Sequence, residues 1–125
     1  LLGLNAEHTL LFKPVKSVAG LNAAIKAANG KFIMLDFYAD WCTSCKEMEK
    51  LTFSDSDVKS SLQDTVLLQA DVTENSDNDQ ALLKRFDLFG PPGIIFFDKN
   101  GDEIRSLRTI GFQNAARFST TLSKR

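Results

Sequence analysis

The sequence predicts an α/β fold in which one mixed β-sheet is covered by helices on both faces. Two nearly unbroken apolar runs, at residues 31–39 and 94–97, are typical of strands buried on both sides. Segments with helical periodicity separate most of the predicted strands, which indicates crossover connections and therefore parallel strands. A late hairpin adds antiparallel pairing, so the predicted element order is β-α-β-α-β-α-β-β-α. The chain of 125 residues fits one domain, which we assign to residues 9–125, with residues 1–8 as an N-terminal extension or linker.

The N-terminal half contains signals for two strand–helix units. Residues 9–15 predict a short strand, and Ser17 is a candidate N-cap for the helix that follows. Gly30 is a suitable stop for that helix. Its buried face is predicted to carry Val18, Leu21, Ile25 and Ala28. After the first apolar run, a second helix is expected to begin near Cys42 and to break near Phe53.

The next part of the chain predicts a short helix, a buried strand and another helix. Ser54 and Asp57 have capping-box spacing, which favours a helical turn restarting there and continuing through Leu62. Residues 65–72 predict a buried strand. A polar connection follows, and then a helix over residues 79–86 with an apolar side.

The C-terminal part predicts a hairpin followed by a last helix. The segment Gly90-Pro91-Pro92-Gly93 ends the preceding helix. The second apolar run, a turn at residues 98–101 and a strand at residues 103–110 form the hairpin. The apolar side of the last helix is marked by Ala115, Phe118 and Leu122.

Composition and charge exclude several classes of protein. Hydrophobic residues make up 43% and charged residues 25% of the chain, as in folded globular domains. Fifteen Lys and Arg against 16 Asp and Glu give a net charge of -1, so we expect no nucleic-acid binding driven by charge. Apolar runs fall far short of the roughly 20 residues that span a bilayer, so we expect no direct membrane insertion. Leu1 to Leu4 include neither a Met nor a basic segment, which favours a mature fragment or an excised domain. We expect the protein to be a monomer.

Both cysteines lie in the segment Cys42-Thr43-Ser44-Cys45. A bridge between them closes a very small loop, which makes it a poor structural cross-link and points to reactivity. At the N-terminus of the predicted helix, Cys42 is the more thiolate-like sulfur, because unpaired N–H groups and the helix dipole favour an anion there. Cys45 can then attack a mixed disulfide on Cys42, release the partner in reduced form and leave the Cys42–Cys45 disulfide. This exchange requires no cofactor beyond that disulfide.

Two other functions remain possible for the cysteine pair. A zinc site normally requires four Cys or His ligands, and the chain offers only His8 besides these two, so we predict no metal site and keep a metal-binding module as a less favoured alternative. A non-catalytic interaction domain with an inert disulfide is the third alternative.

Two acidic residues are candidate catalytic groups. Asp36 lies inside the first apolar run, where a carboxylate costs several kcal/mol unless it is used or neutralised. Its position six residues before Cys42 places it beneath the site, where it can accept the proton of Cys45. Glu49 shares a helical stripe with both cysteines and can tune their pKa values, although a solvated Glu is an equally good interpretation.

Three further residues are candidates for substrate binding. Trp41 is either a surface platform beside the reactive sulfur or part of the core. A cis bond between Pro91 and Pro92 would bring backbone without an N–H donor next to Cys42, free to pair with an extended substrate chain. The alternative is that these prolines only stop a helix.

These residues resemble the thioredoxin family, through the buried Asp36, the Trp41-Cys42-x-x-Cys45 motif and Pro92 before a strand. The resemblance covers nearly the whole chain and implies the thioredoxin fold. Within the family, the chain is similar to the C-terminal domain of the DsbD family of thiol:disulfide interchange proteins of Gram-negative bacteria. This similarity is carried by residues 38–42, 45–50, 52–55, 66–73 and 95–98.

The resemblance implies a periplasmic domain of an inner-membrane protein. It would accept electrons from the transmembrane domain, which draws them ultimately from cytoplasmic thioredoxin, and pass them to the N-terminal periplasmic domain; these domains are its expected partners. The acids that match Asp36 and Glu49 adjust the active-site cysteines in that family. Thr43 and Ser44 replace the Gly-Pro of ordinary thioredoxin. A free-standing thioredoxin-like reductase, for instance in cytochrome maturation, is the alternative.

Overall fold

The computed structural model describes residues 10–125, which contain one five-stranded mixed sheet. The strands are β1 (Lys13–Pro14), β2 (Phe32–Tyr38), β3 (Thr65–Asp71), β4 (Gly93–Phe97) and β5 (Thr109–Ile110). They lie in the order β1-β3-β2-β4-β5. The first three are parallel, and β4 is antiparallel to both β2 and β5. The predicted α/β class with a mixed sheet is confirmed.

Helices cover both faces of this sheet. The helices are α1 (Val18–Ala27), α2 (Thr43–Glu47), α3 (Ser56–Ser61), α4 (Asp77–Arg85) and α5 (Ala115–Ser123). A π-helical segment, Met48–Thr52, continues α2 directly, and a 3₁₀ turn, Arg105–Leu107, precedes β5. The connection between β2 and β3 therefore contains two helical pieces, with the break at Phe53 that the sequence predicts.

Local capping explains where the helices begin. The Ser17 side chain accepts a hydrogen bond from the Gly20 N–H at 2.9 Å, which confirms Ser17 as the N-cap of α1. Helix α3 is capped by Asp55, whose carboxylate accepts from two N–H groups of the first turn, so the prediction of Ser54 as the cap was wrong. The Ser54 hydroxyl instead donates to the Lys50 carbonyl at 2.6 Å and so belongs to the preceding helical segment.

Helix α4 begins two residues earlier than predicted. Ser76 and Asp79 form a capping box in which each side chain accepts a hydrogen bond from the other residue's backbone N–H. The polar residues at the start of the helix belong to its first turn and not to the loop. Acidic side chains are favourable in that position because they face the positive end of the helix dipole.

Two predicted strands are shorter in the structure. The strand predicted over residues 9–15 is reduced to Lys13–Pro14, and residue 9 and the proposed extension 1–8 lie outside the described residues. The second hairpin arm makes a single bridge between Glu103 and Phe97 and then turns into the 3₁₀ segment. Leu107 of that turn is buried in the core.

The two faces of the sheet carry separate apolar cores. Because side chains alternate along a strand, Ile33, Leu35 and Phe37 of β2 face α1 and α4, whereas Met34 and Asp36 face the π-helical segment, α3 and α5. At its carboxyl end β2 runs directly into the turn that carries both cysteines. The sheet therefore places the candidate site at the carboxyl end of a central strand.

Candidate active site

The two cysteines form a disulfide at the start of α2. Cys42 is the N-cap, and its Sγ accepts a hydrogen bond from the Cys45 N–H at 3.1 Å. Both residues are buried, with exposed fractions of 6% and 4%. The predicted position of Cys42 at the helix N-terminus is confirmed, and the N–H that faces its sulfur stabilises a thiolate when the disulfide is reduced.

Cys45 lies against the end of β2. Its Sγ is 3.7 Å from the carbonyl oxygen of Phe37, the residue that follows Asp36. In the reduced protein that carbonyl is placed to accept the thiol proton of Cys45 in a hydrogen bond. The second sulfur is therefore held inside the fold, while residues 40 and 41 on the other side of Cys42 are exposed.

Asp36 is a buried carboxyl group with one hydrogen-bond donor from the neighbouring strand. Its exposed fraction is 6%, and its register partner Gln69 donates from Nε2 to Oδ2 at 3.1 Å. Burial raises the pKa of Asp36 to about 7, against the opposing effect of the Gln69 hydrogen bond, and the charge of Glu49 raises it further. A carboxyl group with this pKa can both accept and release a proton near neutral pH.

Glu49 is exposed on the π-helical segment and lines an open pocket of about 630 Å³. Gln69 lines the same pocket, so its side chain stands between the buried Asp36 and solvent. The rest of the lining comes from Leu10, Leu11, Phe12, Lys46, Lys50 and Phe53. The structure thus brings Glu49 within electrostatic range of Asp36, while the effect of Glu49 on the cysteines, predicted from their shared helical stripe, stays a prediction.

Trp41 is exposed rather than part of the core, with 61% of its surface accessible. Its indole Nε1 donates a hydrogen bond to the Thr73 carbonyl oxygen at 3.0 Å. The neighbouring Asp40 N–H donates to Thr73 Oγ1 at 2.9 Å. The ring has the geometry expected of a surface platform next to Cys42, and its contact with a substrate stays a prediction.

The Pro91–Pro92 peptide bond is cis, and both prolines are half-buried. Gly93, directly after them, pairs with Phe37 of β2, whose carbonyl oxygen is the one near Cys45. The two prolines therefore lead into β4 at the end of the sheet that carries the cysteines. Their role in binding an extended chain remains a prediction.

Sequence reasoning missed Gln69, Lys46 and Thr73. Gln69 is a lone amide within an apolar strand, which is a signal, but its register opposite Asp36 is a tertiary property. Lys46 Nζ donates to the Tyr38 hydroxyl at 2.7 Å, and that hydroxyl in turn donates to Asp40 at 3.1 Å. These contacts tie the start of α2 to the strand that precedes it.

Residues 10–125 contain neither a cluster of metal-ligating side chains nor a membrane-spanning helix. In this range no group of three or more His, Cys, Asp and Glu side chains could hold a metal ion, and His8 lies outside it. No helix of the same range is long and apolar enough to cross a membrane.

Comparison with known proteins identifies the family. A sequence profile described as a thioredoxin-like domain matches residues 21–125. A solved structure of the Neisseria meningitidis DsbD C-terminal domain in the oxidised form superimposes with a TM-score of 0.75 at 36% identity, covering 90% of this chain and 98% of that one. The chain belongs to the thioredoxin-like family, among the DsbD C-terminal domains. Fasciola hepatica thioredoxin, with a TM-score of 0.67 at 20% identity over 90% of this chain and 98% of that one, shares the fold.

Curated relatives are longer proteins. Over 117 residues the chain is 53% identical to the thiol:disulfide interchange protein DsbD of Ralstonia nicotianae, covering 92% of this chain and 19% of that protein. Over 109 residues it is 55% identical to DsbD of Yersinia enterocolitica, covering 87% and 19%. The chain therefore spans about a fifth of the curated relatives it matches. This DsbD-type domain is a protein-disulfide oxidoreductase and contains a Cys42–Cys45 disulfide.

Proposed function

We propose that this DsbD-type domain is an electron relay within a longer membrane protein. It accepts electrons from the membrane-embedded domain and passes them to the N-terminal periplasmic domain. The observation that carries the proposal is the Cys42–Cys45 disulfide at a helix N-terminus, which follows the strand that carries the buried Asp36. The relatives' greater length supports other domains of the same protein as partners.

The exchange proceeds through one mixed disulfide. In the reduced domain the Cys42 thiolate attacks a partner disulfide, a bond forms between Cys42 and one partner sulfur, and the other partner sulfur leaves as a thiolate. The Cys45 thiolate then attacks Cys42, closes the Cys42–Cys45 disulfide and releases the second partner sulfur. Two electrons pass to the partner, and the two protons lost by the domain match those the partner thiolates take up. The membrane-embedded domain restores the dithiol by the reverse steps.

Asp36 is proposed as the base for Cys45, the thiol that must lose its proton inside the fold. A carboxyl group with a pKa of about 7 is ionised in part of the molecules at neutral pH and can take that proton. Glu49 tunes this step through its charge, which favours the protonated form of Asp36. The open pocket beside Gln69 offers solvent access close to the carboxyl group.

Trp41, Pro91 and Pro92 are proposed to contact the partner around Cys42. The exposed indole offers an apolar platform, and the backbone before β4 can pair with an extended partner segment. We further propose that the domain works in the periplasm as a monomer, without a metal or an organic cofactor.

Redox titration and two cysteine variants test the proposal. We expect the cysteine pair to show a reversible two-electron transition at a strongly reducing potential. The oxidised fraction is measured in glutathione and dithiothreitol buffers by thiol alkylation and mass spectrometry. Cys42→Ser is expected to abolish reduction of the purified N-terminal domain of a DsbD protein, whereas Cys45→Ser accumulates a mixed disulfide with it. A strongly oxidising transition would make the domain a disulfide donor, and catalytic exchange by Cys42→Ser would overturn the assigned roles.

A further inference from the structure

Thr73 connects the end of β3 to the exposed residues that precede Cys42. Its backbone carbonyl accepts from the Trp41 indole at 3.0 Å, and its hydroxyl oxygen accepts from the Asp40 N–H at 2.9 Å. Asp40 and Trp41, which directly precede Cys42, are thus both hydrogen-bonded to Thr73, a residue more than 30 positions away. We call this set of contacts the Thr73 clamp.

The clamp is itself held in place from the other side. Asp71 Oδ1 accepts hydrogen bonds from both the N–H and the hydroxyl of Thr73. Between them, Val72 is buried and donates its N–H to the Tyr38 carbonyl at 2.8 Å, continuing the pairing of β3 with β2. The carbonyl that meets the indole therefore has a fixed position relative to the strand that leads to the active site.

An exposed Trp side chain needs such a contact to keep one orientation. With 61% of its surface accessible, Trp41 is not immobilised by packing alone. Immobilising a side chain on association costs about 0.5–1.5 kcal/mol, and a ring that is already oriented avoids much of that cost. A large protein partner that lies across Trp41 benefits from this preorganisation, whereas a small disulfide that reaches only the sulfur does not.

We infer that Thr73 is a positioning residue for protein partners: it orients Trp41 and the Asp40 backbone so that a polypeptide disulfide docks productively on Cys42. This inference rests on the proposed disulfide-exchange function and adds that Thr73 favours the reduction of protein disulfides over small disulfides. Thr73 touches neither sulfur in the contacts described and so has no part in the thiol chemistry itself.

The test compares Thr73→Val, which keeps the side-chain shape and removes the hydroxyl, with Thr73→Ser, which restores it. Thr120→Val is the matched control, because the Thr120 hydroxyl donates only to the Ala116 carbonyl in α5. The chain contains one Trp, so time-resolved fluorescence anisotropy reports on Trp41 alone. Single-turnover rates of the reduced protein are measured with insulin, a protein disulfide, and with hydroxyethyl disulfide, a small one.

Thr73→Val keeps the carbonyl that accepts from the indole but removes the hydroxyl contacts to Asp71 and to the Asp40 N–H that hold this carbonyl in place. We therefore expect a larger fast component of the anisotropy decay and an insulin rate lower by about fivefold, the equivalent of one hydrogen bond. Its rate with hydroxyethyl disulfide should stay within about twofold of the original protein. Thr73→Ser and Thr120→Val should behave like the original protein in all three measurements. Asp71→Ala, which removes the support of the clamp, should shift the anisotropy and the insulin rate in the same direction as Thr73→Val.

Three outcomes would overturn the inference. Unchanged anisotropy and insulin rate in both Thr73→Val and Asp71→Ala would show that the clamp does not orient the ring. An equal fall with insulin and with hydroxyethyl disulfide would show that Thr73 acts on the thiols or on folding. If the original protein reduces neither substrate, the proposed function fails and the inference fails with it; if it reduces both, any failure concerns Thr73 alone.

Discussion

The two faces of the central sheet are built for different purposes. On the first, which we call the apolar face, Ile33, Leu35 and Phe37 pack beneath α1 and α4, and Phe37 meets the Phe86 ring edge-on at 6.0 Å. On the second, the reactive face, the corresponding stripe of β2 contains Asp36. Alternate residues of β2 thus face opposite sides of the sheet: one set packs in an apolar core, and the other includes the buried Asp36.

The helices above the two faces differ in the same way. Helix α1 is regular, whereas the helix over the reactive face changes to π-helical geometry just after Cys45, and π-helical turns often occur at functional sites. Each face has an open pocket of similar volume: the one on the reactive face is lined by Glu49 and Gln69, whereas the one beside α1 has no carboxylate in its lining. Both faces therefore carry an apolar core, and the reactive face in addition buries a titratable group on the strand that leads to the cysteines.

Asp36→Asn should have the largest effect on this contrast. Since the folded-state pKa of about 7 exceeds the ordinary 3.8, the folded protein binds more protons than the unfolded chain between about pH 4 and 7, and its stability falls as pH rises through that window. The variant has no such group and should be more stable than the original oxidised protein by about 4 kcal/mol at pH 8, with little difference at pH 3. Urea unfolding at both pH values checks this.

A matched control for that substitution is Asp57→Asn, at an exposed carboxylate in the first turn of α3. It should lose a little stability at pH 8 because the helix dipole favours the charge. If Asp36→Asn raises the free energy of unfolding equally at pH 3 and pH 8, the charge of Asp36 is not what destabilises the original protein.

Leu35→Ala tests the apolar face. The fully buried side chain leaves a cavity, so the free energy of unfolding should fall by about 3 kcal/mol at every pH. Leu51→Ala, at a side chain that is 57% exposed, is the control and should change stability by less than about 0.5 kcal/mol. A loss of stability in Leu35→Ala that varied with pH would show that a titratable group is coupled to the apolar face.

Gln69→Leu removes the donor that stabilises ionised Asp36. The pKa of Asp36 should rise further, and the free energy of unfolding at pH 8 should fall by about 1–2 kcal/mol, with a smaller loss at pH 5, where the carboxyl group is protonated. Denaturant unfolding across pH measures both effects. Gln63→Leu, at an exposed glutamine, should show no pH-dependent difference, and an equal loss at both pH values in Gln69→Leu would contradict the assignment.

Glu49→Gln should have the smallest effect. Its charge raises the pKa of Asp36, so the neutral variant should lower that pKa, by little because Glu49 is exposed and solvent screens it. Carboxyl NMR titration of the oxidised protein measures the change, with the exposed Glu47→Gln as control. If the pKa of Asp36 falls equally in both variants, the effect on that pKa is not specific to the position of Glu49.

The parts of the fold that depend on local patterns were predictable. An apolar run specified β2, Ser17 specified the start of α1, and the two cysteines specified the reactive end of the sheet. The same local information placed Asp36 on the strand that leads into the cysteine turn, because both the strand position and the helix start are short-range features.

The remaining features depend on contacts between distant segments. Gln69 meets Asp36 only through the β2–β3 register, 33 residues apart. The π-helical segment places Thr52 so that its hydroxyl donates to the Gln113 carbonyl at 2.6 Å, 61 residues away. The hairpin arm is interrupted by a 3₁₀ turn between the Glu103 bridge and β5, and Leu107 of that turn packs in the core of the reactive face. No local pattern carries these three facts.

The shortness of the outer strands has a consequence for the behaviour of the protein in concentrated solution. The central strands β2 and β4 are rich in aromatic and branched side chains, a composition that promotes intermolecular β-sheet growth when a sheet edge is open. Both outer strands have only two residues, and β1 consists of a charged Lys13 followed by Pro14, which has no N–H to offer a second molecule. The chain therefore surrounds aggregation-prone strands with edges that do not support aggregation.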